Sequence, residues 1–122
     1  MPSTFGVVDL FAGPGGLGEG FASFTKNGHV PFQIGISVEK EASAHRTLTL
    51  RAFLREYRKR HHALPEQFLK LHAGLATEPD WSSVDTGAWQ HAIEEARALE
   101  LGTEPAVKVV DDAIEKLKKK YD

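Results

Sequence analysis

Residues 13–20 hold five glycines, at positions 13, 15, 16, 18 and 20. Ordering glycine costs more backbone entropy than ordering any other residue. A cluster of five is useful where a ligand must lie against bare backbone. The spacing of Gly13, Gly15 and Gly18 fits G-x-G-x-x-G, with an apolar run before it and a helical pattern after it. In that context the glycines admit a ligand, and the helix N-terminus offers free N–H groups to anionic or polar atoms. A second apolar run ends in Glu39, about twenty residues past the last glycine of the motif. A carboxylate there can accept both hydroxyls of a ribose. The turn and the acid together describe one nucleoside pocket. Asp9, near the end of the first run, can set the charge around an ammonium group. Phe11 can lie against a ribose or an adenine. Pro14 brings no N–H, which weakens a phosphate cradle.

These residues need elements to hold them. Residues 5–11, rich in valine and aromatics and running into a glycine turn, read as a buried strand. Leu17, Phe21 and Phe24 recur at helical spacing, and Asn27-Gly28 is the expected end of that helix, with Gly28 as C′. Phe32, Ile34, Ile36 and Val38 alternate strictly, which predicts a second strand over residues 31–39. A long helix is expected from about residue 41 to about 62, with a stripe of Leu50, Phe53, Leu54 and Tyr57. Pro65 breaks the pattern, and a shorter helix should run to Leu71. Residues 74–86 have the composition of a connector. Trp89, Ala92, Ile93, Ala96 and Leu99 predict a helix started by Asp85 or Thr86 and ended by Gly102. Thr103 should cap a last helix carrying Ala106, Val109, Val110, Ala113, Ile114, Leu117 and Tyr121. The pattern is α/β: residues 1–62 as a cofactor-binding βαβα unit and residues 63–122 as a helical extension of a single incomplete domain. Two strands about a helix imply a parallel pair, the opening of a doubly wound, Rossmann-like sheet.

Composition narrows the classes. The chain has 122 residues, 41% of them hydrophobic and 26% charged, with a formal charge of −2 and no cysteine. It is one domain's worth of globular sequence. The absence of cysteine removes disulfides, thiolate metal sites and a thiol nucleophile within the chain. The six histidines lack metal-ligand spacing, so no metal is expected. No apolar run approaches a membrane span, and no charged leader precedes an apolar core. A soluble, cytoplasmic protein is the expectation. The basic cluster Arg58-Lys59-Arg60-His61-His62 could meet DNA phosphates, but it falls at a helix C-terminus, where cations are favoured anyway. Trp81 and Trp89 could stack on bases; Trp89 lies on an apolar stripe and reads as core.

The run Asp9-Leu10-Phe11-Ala12-Gly13-Pro14-Gly15-Gly16, followed by Gly20-Phe21, resembles the first motif of the cytosine-C5 DNA methyltransferases. Ile36-Ser37-Val38-Glu39-Lys40-Glu41, followed by Ala44-His45-Arg46-Thr47-Leu48, resembles their second. Together they cover roughly the first 50 residues. The resemblance implies an S-adenosylmethionine site formed by Asp9, Phe11, Ala12, Gly13, Pro14, Gly15, Gly16 and Leu17. Glu39 would hold the ribose hydroxyls, and Lys40 would stand where the family often packs a residue on adenine. The parent reaction would methylate C5 of a cytosine flipped out of DNA. The family's proline-cysteine loop, its E-N-V acid and its glutamine-arginine motif have no counterpart here. Asp80 and Asp85 are the candidates for its third motif. The resemblance thus implies a cofactor-binding N-terminal portion, inactive alone. It also implies self-association through the open edge of the first strand or through the uncovered stripes at 89–99 and 109–121. The rivals are an NAD- or FAD-binding oxidoreductase fragment and a non-catalytic interaction module.

Overall fold

The computed structural model describes residues 3–121. Three strands form one parallel sheet in the order β1 (Phe5–Leu10), β2 (Phe32–Val38), β3 (Ala96–Arg97). The helices are α1 (Gly16–Ser23), α2 (Ala42–His61), α3 (Glu66–His72), α4 (Trp81–Val84), α5 (Thr86–Glu95) and α6 (Glu104–Tyr121). The architecture is α/β, and the β1–α1–β2 unit runs as its periodicity requires.

Each end of α2 has a specific stop. The Glu41 carboxylate accepts from the N–H groups of Ser43 and Ala44, and His62 closes the helix in a left-handed conformation. Arg58, Lys59, Arg60 and His61 fill its last turn, where the helix dipole favours them. The central core forms where α2 meets α5. Phe53 is fully buried, with the rings of Trp81 and Trp89 centred 5.5 Å and 5.8 Å away and Ala52, Ala88 and Ala92 around them. Trp81 is therefore a core residue, its indole N–H donating to Glu78 at 2.8 Å.

Four sequence expectations need correction. The first helix stops at Ser23, because Phe24 is already extended; Asn27 and Gly28, both at positive φ, instead make a tight turn between bridged Lys26 and His29. The segment 63–122 is not wholly helical, since α5 ends at Glu95 and the chain passes straight into β3. Residues 74–86 are not all connector, since α4 forms one turn capped by the Asp80 carboxylate. The stripe beginning at Trp89 is not uncovered, because α2 covers it.

The sheet is covered on both faces. Gly18 of α1 meets Ile34 and Asp9, whereas Leu117 of α6 lies on Gly6 and Gly35. A Cβ on Gly35 would stand 2.6 Å from Leu117 Cδ2, so a bare Cα is what lets α6 approach. Gly35→Ala should destabilise the protein by about 1–3 kcal/mol through overpacking. Leu117→Ala in that background should recover part of the loss. Urea unfolding of the two single variants and the double variant measures the coupling; strict additivity would mean that α6 does not rest on Gly35.

Candidate functional site

The C-terminal ends of the three strands converge on residues 38–41. Ala12 N–H donates to the Val38 carbonyl at 2.9 Å, and Glu39 N–H donates to the Arg97 carbonyl at 3.0 Å. The Glu39 side chain then links two elements. Its Oε1 accepts from Gly13 N–H at 3.0 Å and its Oε2 from Glu41 N–H at 2.9 Å. The acid expected at the strand end and the glycine turn after β1 are thus joined directly. Those two N–H groups, Glu41 first, hold the Glu39 carboxyl below the usual glutamate range.

The glycines of the turn have distinct roles. Gly13 has φ +60, and the space where its Cβ would stand is open; the same space is open at Gly16. Gly15, at φ +96, is approached by Leu48 of α2, and a Cβ there would be 2.9 Å from Leu48 Cδ1. Gly18 permits the contact of α1 with β2. Bare backbone is therefore presented outward at Gly13 and Gly16 and used for packing at Gly15 and Gly18. Phe11 also has positive φ, uncommon for an aromatic residue, and its ring is 78% exposed. It falls just past the end of β1 and not within the strand. Pro14 and Leu17 are exposed beside it, and Ala12 is half-buried.

Most N–H groups of the turn are committed. Ala12 and Gly13 donate as above, Gly15 donates to the Ala12 carbonyl at 3.2 Å, and Pro14 has none. No side chain caps α1 among the described residues, so its first N–H groups, at Gly16 and Leu17, face outward.

Asp9 does not join Glu39. Its Oδ2 lies under α1, 3.2 Å from where a Gly18 Cβ would be, and has no hydrogen-bond donor among the described residues. Burial pushes its carboxyl up. Lys40 is exposed and makes a 3.8 Å ion pair with Glu100, a residue sequence reasoning passed over. Its signal was hidden with the third strand, whose end it follows. Asp80 and Asp85 are helix caps, accepting from Ser82 N–H and Ala88 N–H, and neither stands at a strand end.

No family model matches the chain, and no curated protein or solved structure is significantly similar to it. Among the described residues, no helix is long and apolar enough to cross a membrane, and no group of three or more histidine, cysteine or acidic residues could hold a metal ion.

The two carboxylates have opposite pH linkage. Glu39, with its carboxyl lowered, contributes stability above the usual glutamate value that is lost as pH falls through its folded value. Asp9, with its carboxyl raised, binds its proton more readily when folded, so stability falls as pH rises from about 3.8 toward its folded value. An unsatisfied buried acceptor costs about 1–3 kcal/mol, and the half-exposed setting of Asp9 puts it at the low end. Asp9→Asn should therefore stabilise the protein by about 1 kcal/mol at pH 7. The gain should shrink as pH falls through the raised folded value and be gone once pH is below the usual aspartate value. Denaturant melts at pH 7 and pH 3.5 check both halves; a loss of stability at pH 7 would mean that Asp9 has a donor after all.

Proposed function

We propose that this chain is the S-adenosylmethionine-binding portion of a DNA cytosine-C5 methyltransferase, built on the first half of a doubly wound sheet. The observation that carries the reading is the Glu39 carboxylate bonded to the Gly13 N–H of the glycine turn. Each Glu39 oxygen has a second lone pair, so both ribose hydroxyls can donate to a carboxylate already fixed in place. The exposed Phe11 ring would flank the nucleoside, and the free N–H groups at the start of α1 would meet the methionyl carboxylate. When bound, the cofactor supplies an electrophilic methyl group. The residues of this chain bind and orient it.

The same geometry argues against a dinucleotide. A pyrophosphate needs N–H groups from the turn, and those of Ala12, Gly13 and Gly15 are already bonded. A zwitterionic, sulfonium-bearing ligand suits a turn closed by the Glu39 carboxylate. The family motifs quoted from residues 9–21 and 36–48 support the methyltransferase reading; the absence of a cysteine limits the chain to cofactor binding, because attack on cytosine C6 needs a thiolate.

Calorimetric titration with S-adenosylhomocysteine should show binding, with NADH giving none. Glu39→Ala should abolish it, because the ribose loses its charged acceptor and the turn its anchor. Binding by Glu39→Ala as tight as by the parent would overturn the assignment. Incubation with labelled cofactor and DNA should give no methyl incorporation above a no-protein control.

Self-association is part of the proposal. Among the described residues β1 pairs only with β2, so its outer edge presents N–H and C=O groups unpaired there, beside the exposed Phe5 and Leu10. A two-fold dimer that joins two such edges would satisfy them. Light scattering at micromolar concentration should give twice the monomer mass, and proline at Val8 should restore the monomer. A parent that stays monomeric would refute this part.

A further inference from the structure

A cavity of about 780 Å³ lies between α1, α2 and β2 and reaches the end of α6. It is distinct from the glycine turn, since neither Glu39, Lys40 nor any residue of 9–17 lines it. Its apolar lining includes Ala22 of α1, Phe32 and Ile34 of β2, Leu50 and Leu54 of α2, and Phe68 of α3. Each of these stays only half-buried although four elements converge on them. The cavity is a half-open cleft, so part of its apolar floor faces water. Its volume falls in the range of small-molecule sites, about 300–1,000 Å³.

The charges around it are unbalanced in one direction. Three carboxylates line the cavity, and all are engaged. Arg55 binds Glu95 at 2.8 Å and Glu19 at 2.9 Å, while Glu56 meets Arg60 at 3.1 Å and His91 at 3.7 Å. Arg51, Arg58, Lys59 and Lys120 also line it and form no ion pair among the described residues. In a chain of net charge −2 this is a local excess of free cations. All four are exposed, and Lys120 Nζ lies 5.3 Å from the Tyr121 ring centroid; they form a solvated rim that attracts an anionic head group and gives a purely apolar ligand nothing. A purely hydrophilic anion would leave the apolar floor wet. Both requirements are met by one class of molecule.

We propose that this cavity binds an amphiphilic carboxylate of the long-chain acyl type. The alkyl chain lies on Phe32, Ile34, Leu50 and Leu54, and the head group lies at Arg58 and Lys59. The site is independent of the glycine turn, so its ligand and the nucleoside cofactor can bind together.

Calorimetry with dodecanoate, kept below its aggregation concentration, tests this on the full chain, with dodecanol as the uncharged control. The parent should bind dodecanoate at least tenfold more tightly than dodecanol. Arg58→Gln with Lys59→Gln, two exposed positions, should weaken dodecanoate at least tenfold while keeping a cooperative melt, lowered only by the loss of two charges at the α2 C-terminus. Ala22→Phe should fill the void and abolish binding while keeping or raising the melting temperature. S-adenosylhomocysteine affinity should be the same in parent and variants, which separates this claim from the cofactor reading. No binding by the parent, equal affinity for dodecanol, or full affinity in the glutamine variant would overturn the proposal.

Discussion

One carboxylate holds the candidate site together. Glu39 accepts the N–H of Gly13 on one oxygen and that of Glu41 on the other. It thereby ties the turn after β1 to the entry of α2, while its own N–H reaches the carbonyl of Arg97 at the end of β3. All three strands of the sheet meet within this short stretch. Charge-assisted bonds of this kind are roughly twice as strong as neutral ones, and here they fix a turn whose glycines have little conformational preference of their own. The left-handed backbone at Phe11, Gly13 and Gly15 persists because its neighbours determine it from both sides.

Much of this was legible in the residues, and the parts that were not have physical causes. The alternation of Phe32, Ile34, Ile36 and Val38 sets the strand and places Glu39 at its edge, because side chains of a strand have a period of two. Glu41 and His62 bound α2 within one residue of expectation. The third strand was invisible because it is only two residues long. Ala96 also continues the helical spacing of Ala92, so periodicity reads straight through it. Asn27-Gly28 fits both a helix C-terminus and a tight turn, and the bridge between Lys26 and His29, which no local pattern announces, decides for the turn. Asp80 and Asp85 looked like strand-end acids for the same reason that they make good caps: short carboxylates bond nearby N–H groups wherever the chain turns.

Arg55 shows a second kind of information that a linear reading misses. It reaches from α2 to Glu19 on α1 and to the buried Glu95 on α5, so one guanidinium sets the spacing of three helices. Burial raises the Glu95 carboxyl while Arg55 opposes the shift. Removing the arginine would strand a buried charge, a loss of about 3–5 kcal/mol in comparable pairs. The cavity between α1, α2 and β2 lies beside this cluster, with Glu19, Arg55 and Glu95 in its lining.

The central claim is that the glycine turn and Glu39 form a nucleoside-cofactor site. Amide NMR spectra of the isotope-labelled chain, recorded as S-adenosylhomocysteine is added, test it most directly. The account predicts shift changes concentrated at Gly13, Gly15, Gly16, Leu17, Glu39 and Lys40, with the amides of Leu50, Arg58 and Phe68 unmoved. Unchanged spectra at saturating ligand, or changes centred on α2 and α3, would contradict it.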